Sequence, residues 1–98
     1  MTDQTKQTDM VITPSKRSRL EIYLDVLRVI GNGTDKATRI MYSSNLSWKP
    51  LKETLNFLIE RNLIETRNVR RSKRYYITAK GSRVLEYFKK LQEKLVTE

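Results

Sequence analysis

The segment LEIYLDVLRVI, residues 20–30, is apolar on two sides. Leu20, Tyr23, Leu24, Leu27 and Ile30 recur at helical spacing and share a face. Ile22, Val26 and Val29 form a second stripe nearly opposite, and only Glu21, Asp25 and Arg28 ask for water. A helix apolar on two sides is normally buried on two sides. The second cover of this helix comes either from a partner chain or from the C-terminal helix. With 98 residues, 38% of them hydrophobic, the chain suits one small domain with a modest core. A domain of that size is marginal alone, and association between chains would help it.

The remaining elements follow in order. Gly31-Asn32-Gly33 ends the first helix. Thr34 or Asp35 caps a short helix over residues 36–42, with Ala37, Ile40 and Met41 as its apolar face, and 43–45 form a turn. Leu46 is a hydrophobic plug, and Ser47 caps a third helix over 48–61. Pro50 falls in its first turn, where a missing N–H costs little. Leu51, Leu55, Leu58 and Ile59 face inward; Lys49, Lys52, Glu53 and Asn56 project outward. Asn62 suits a left-handed C-cap. Residues 63–67 and 74–77 read as strands joined by the link 68–73, with one of Tyr75 and Tyr76 facing the core. Thr78 caps a fourth helix over 79–96. In it Val84, Phe88, Leu91 and Leu95 are spaced as in a coiled-coil seam, over about two heptads. Residues 1–15 read as a flexible polar tail.

Charge is concentrated. Between Thr66 and Arg83 lie seven basic residues and no acidic one: Arg67, Arg70, Arg71, Lys73, Arg74, Lys80 and Arg83. Elsewhere thirteen Lys and Arg (20 less these seven) face eleven Asp and Glu, so most of the +9 net charge sits in this segment. A compact positive field on a hairpin is what a polyanion binder needs.

The chain contains neither cysteine nor histidine. Disulfides and thiolate metal sites are excluded, and the commonest general base is missing. No Gly-rich phosphate loop or metal-ligand spacing occurs. No apolar run approaches the roughly 20 residues of a membrane span, and the polar N-terminus is unlike a secretory signal. The expectation is a non-enzymatic binder without catalytic residues, metal, cofactor, membrane or small-molecule ligand, located in the cytoplasm with the nucleoid.

A helix, two helices joined by a short turn, a basic hairpin and a last helix describe a winged helix-turn-helix. The fold class expected is mainly α with a small β-hairpin. Particular runs carry a resemblance: KRSRLEIY from Lys16, Ile40-Met41-Tyr42, Asn45-Leu46-Ser47, Leu51, Leu63-Ile64 and Tyr76-Ile77-Thr78-Ala79-Lys80-Gly81. Together these resemble small archaeal winged-helix DNA-binding proteins, among them the ten-kilodalton Sulfolobus chromatin proteins with a C-terminal antiparallel coiled coil. The resemblance implies a DNA-binding domain over 16–78 and a dimerisation helix over 79–98 with Val84, Phe88, Leu91 and Leu95 at the interface. It also implies that residues 47–56 begin the recognition helix and 68–73 form the wing. Pro50 in the recognition helix departs from the expected pattern, and the fourth helix is short for a self-sufficient coiled coil.

The expected DNA-binding residues are Ser47, Trp48, Lys49, Lys52 and Asn56 on the third helix, with Arg67, Arg70, Arg71, Lys73 and Arg74 on the hairpin. Asn reads adenine and Lys reaches guanine acceptors. Arg70 and Arg71 suit a minor groove. Trp48 is either partly core or a contact with DNA. The bland alternatives are a solvated basic loop and an ordinary polar helix face. The function expected is double-stranded DNA binding by a homodimer, as a transcription regulator or a nucleoid-associated protein. The alternative is a winged-helix protein-interaction module.

Overall fold

The computed structural model describes residues 17–96. The tail expected over residues 1–15 lies outside them. The elements are α1 (Arg19–Gly31), α2 (Ala37–Ser44), α3 (Trp48–Glu60), β1 (Ile64–Val69), β2 (Ser72–Ile77) and α4 (Ala79–Val96).

α1 begins one residue before the expected start because Ser18 and Glu21 close a capping box. The Ser18 hydroxyl accepts from the Glu21 amide at 3.1 Å, and the Ser18 amide donates to Glu21 Oε1 at 2.7 Å. Leu24, Val26, Leu27 and Ile30 are buried, so both apolar stripes are covered in part. The chain supplies that cover itself: α1 packs against α2, α3, α4 and β2. Only the N-terminal end of the first stripe stays half-open, with Leu20 52% exposed. Gly33, at φ 105°, makes the left-handed turn that ends α1.

α2 departs from expectation at both ends. Its N-cap is Lys36, whose side chain makes no capping bond, and neither Thr34 nor Asp35 caps it. The Asp35 carboxylate is turned to Arg74 instead, at 3.1 Å. The helix runs on through Ser43 and Ser44, so the expected turn shrinks to Asn45 in the left-handed conformation (φ 56°). Ile40 plugs the core and is fully buried. α3 buries Leu51, Thr54, Leu55 and Leu58 and is tied to α1 by the stacked rings of Tyr23 and Phe57, 4.2 Å apart. Asn62 is left-handed, as its place after the helix requires (φ 62°).

The antiparallel hairpin is longer and tighter than expected. Pairing runs from Ile64↔Ile77 to Val69↔Ser72, leaving a two-residue turn at Arg70-Arg71. Asn68, Val69, Ser72 and Lys73 belong to the strands. Tyr75 is the inward tyrosine, 8% exposed, and burial raises its phenol above the ordinary value. A bridge between Lys36 and Arg74 and a bond from the Tyr75 amide to the Asp35 carbonyl at 2.9 Å join the hairpin to the loop before α2.

α4 is capped as expected: Thr78 Oγ1 accepts from the Gly81 amide at 3.0 Å and donates to the Asn62 carbonyl at 2.7 Å. Gly81 packs so closely that an added Cβ would overlap the Leu63 carbonyl oxygen. A backbone atom cannot swing aside as a side chain can, and overpacking of this kind costs about 1–3 kcal/mol. Gly81→Ala is therefore expected to lower unfolding stability by about 2 kcal/mol. Urea denaturation checks this; an unchanged midpoint would show that α4 is not docked on Leu63 this way.

Candidate nucleic-acid interface

The buried residues of α3 fix what its other side shows. With Leu51, Thr54, Leu55 and Leu58 inward, Lys49, Lys52, Glu53, Asn56 and Glu60 are exposed. Pro50 is the third helical residue and half-buried, so it starts the helix without breaking it. Trp48 is 51% exposed and does not enter the core. Ser47 is the N-cap residue, but its hydroxyl makes no capping bond. The turn between α2 and α3 is held by Arg17, which donates to the Asn45 carbonyl at 2.9 Å and pairs with Asp25 at 2.8 Å. Tyr42, the last aromatic of α2, is 80% exposed. It lies off the apolar face formed by Ala37, Ile40 and Met41.

The hairpin divides its cations in two. Arg67 and Arg74 stand opposite each other across the strands. Like charges in that position repel, and the fold gives each its own carboxylate. Arg67 pairs with Glu65 at 2.6 Å and lies over the Tyr76 ring at 4.7 Å. Arg74 pairs with Asp35, and its Nε is buried. The acid-free stretch of sequence is thus not free of counter-charge in space. Arg74 is turned inward, so its charge serves the junction with the α1–α2 loop. Arg67 remains on the surface but already carries a partner.

The other group sits at the tip. Arg70, Arg71 and Lys73 are exposed and make no ion pair among the described residues. Both tip arginines have positive φ, 50° and 69°. A two-residue hairpin of this kind requires φ > 0 at both positions and favours Asn-Gly. The sequence therefore places two long cations where shorter residues would fold with less strain. Because the ladder closes at Val69↔Ser72, the two side chains leave a short, fixed turn.

The expected seam on α4 is only half used within the chain. Val84 and Phe88 are half-buried and help line an apolar groove of about 270 Å³ with Leu20, Leu24 and Leu27 of α1 and Phe57 of α3. Leu91 and Leu95 continue the seam and are 40% and 78% exposed. Among the described residues no group of three or more His, Cys, Asp or Glu is placed to hold a metal ion, and no helix is long and apolar enough to cross a membrane.

Residues 16–96 match the winged helix-turn-helix family. Two uncharacterized proteins of Methanocaldococcus jannaschii are similar in sequence. One is 38% identical over 50 residues, 51% of this chain and 52% of that protein. The other is 33% identical over 72 residues, 72% of this chain and 32% of that protein. The chain thus spans about half the length of the first (52%) and a third of the second (32%). Among solved structures, Sso10a-2, a DNA-binding protein from Sulfolobus solfataricus, superposes with a TM-score of 0.64 at 26% identity, over 81% of this chain and 85% of that one. A winged-helix DNA-binding protein from STIV superposes with a TM-score of 0.67 at 19% identity, over 85% of this chain and 98% of that one, a likeness of fold.

Replacing the tip by Arg70→Asn with Arg71→Gly should raise stability by about 1–2 kcal/mol, because the native turn strains two non-glycine residues. A lower or unchanged urea midpoint would contradict the strain assigned to the tip.

Proposed function

The chain belongs to the winged helix-turn-helix family, and from that footing we propose that it binds double-stranded DNA as a homodimer. α3 enters the major groove through Lys49, Lys52 and Asn56, with Ser47 and Trp48 at the flanking backbone. The wing places Arg70 and Arg71 on the adjacent backbone or minor groove, with Lys73 behind them. The observation that carries this reading is the sorting of charge on the hairpin. The cations nearest the body are matched by Glu65 and Asp35, while those at the tip have no ion-pair partner among the described residues. Unmatched arginines on a strained turn suit an external polyanion better than the chain's own stability. The description of Sso10a-2 as a DNA-binding protein points the same way. Arg67 contributes at the edge of the contact, and Arg74 acts by holding the wing in place.

Dimerisation would use Val84, Phe88, Leu91 and Leu95 of α4, with the apolar groove along α1 adding surface that the short helix lacks. A dimer doubles the positive surface and sets a fixed spacing between half-sites. The role that follows is transcription regulation or nucleoid association in the cytoplasm.

Titration with salt tests the reading. Log affinity for a random duplex should fall linearly with log salt, by about 0.9 per phosphate neutralised. Arg70→Glu with Arg71→Glu should weaken binding and flatten the slope by about two. Sedimentation in the same buffers should give twice the chain mass. Absence of duplex binding at low salt would overturn the proposal.

A further inference from the structure

The outward face of α3 is not a simple cationic surface. In a chain of net charge +9 only eleven residues are acidic, and six of the eight among the described residues are engaged. Among the described residues Glu21 closes the Ser18 cap, Asp25 pairs with Arg17 and Arg28, and Asp35 pairs with Arg74. Glu65 pairs with Arg67, Glu86 meets Lys90, and Glu93 is also engaged. The two carboxylates left without a partner among the described residues are Glu53 and Glu60, and both lie on the exposed face of α3. Lys49 stands one turn before Glu53 and does not pair with it.

For a helix meant only to attract phosphates, this placement is unfavourable, since each carboxylate repels the polyanion. It becomes favourable when the carboxylate meets a donor on a base edge. The cytosine N4 amino group is such a donor in the major groove, and Glu accepts from it. Guanine and thymine present carbonyl acceptors there, so either sets acceptor against acceptor, while adenine offers its N6 donor only beside the N7 acceptor. Lys49, Glu53 and Asn56 are spaced i, i+4, i+7 and share a ridge. At a rise of 1.5 Å per residue the ridge spans about 10 Å, roughly three base-pair steps. Residues near the start of a recognition helix reach base edges. Glu53 is in that half of α3, whereas Glu60 is its last residue.

We infer that Glu53 is a specificity-determining residue that accepts a hydrogen bond from cytosine N4 in the major groove, making this chain a sequence-selective DNA binder. The inference rests on the DNA-binding reading above. On this division of labour the wing supplies affinity for any duplex, and Glu53 supplies rejection of wrong ones.

The experiment is selection from a randomised duplex library with the full-length wild type, Glu53→Ala, Glu53→Gln and Glu60→Ala, followed by affinity measurements on the selected site and on a random duplex. The wild type should enrich a motif with a fixed C·G pair, and replacing that pair should weaken binding about ten-fold or more. Glu53→Ala should lose the preference at that pair alone and bind random duplex more tightly, since a repulsive charge is gone. Glu53→Gln should move the preference toward adenine, which Gln reads. Glu60→Ala should select the wild-type motif. If Glu53→Ala selects the wild-type motif with unchanged discrimination, the role of Glu53 is refuted while DNA binding stands. If the wild type binds duplex but enriches no motif, selectivity is refuted. If it binds no duplex, both this inference and the proposed function fall.

Discussion

Helix α1 presents apolar side chains on two sides, and a chain of this size has few ways to keep both from water. The structure wraps α2, α3, α4 and β2 around it, so that Val26 and Leu27 are almost completely removed from solvent. Each such aliphatic side chain contributes about 1.5–3 kcal/mol on burial, a large share of the margin of a small domain. The other elements take their positions from this helix. α3 is pressed onto it through the Tyr23–Phe57 stack, which forces Lys49, Glu53 and Asn56 outward. The hairpin is fixed at its base because Tyr75 and Ile64 are drawn into the same core.

Electrostatics then refines what packing has placed. Two arginines facing each other across the hairpin would push the strands apart, and Glu65 and Asp35 relieve that repulsion separately. The Asp35–Arg74 pair does more than neutralise. Together with the bond from the Tyr75 amide to the Asp35 carbonyl, it locks the hairpin to the loop that opens the helix-turn-helix. The wing is thereby fixed against the helix-turn-helix. The tip cations Arg70, Arg71 and Lys73 and the α3 carboxylates Glu53 and Glu60 make no ion pair among the described residues and are exposed, where a partner would meet them.

Much of this was legible in the sequence where the signal is local. Thr78 capping α4, one of the two hairpin tyrosines facing inward, Pro50 in the first turn of α3 and the outward Lys49, Lys52 and Asn56 all follow from periodicity and capping chemistry. The start of α1 was also written locally, in Ser18-x-x-Glu21, and the apolar pattern alone placed it a residue late. The wing was drawn too loose because its turn lacks the Asn or Gly that announces one; only strand pairing reveals that Arg70 and Arg71 make a tight turn. Asp35 illustrates the other kind of miss. It sits where a helix cap belongs, yet it serves Arg74, 39 residues away, and no local rule reports that distance. The same blindness made the hairpin look free of counter-charge and made Arg74 look available to DNA.

On the proposed reading, α3 and the wing tip meet a duplex as one surface. Amide chemical-shift mapping by NMR during titration with a short duplex tests it most directly. Amides of residues 47–56 and 69–73 should shift together, with one saturation curve, while the buried core of α1 stays still. Shifts confined to the apolar groove and α4, or separate saturation of α3 and the tip, would contradict it.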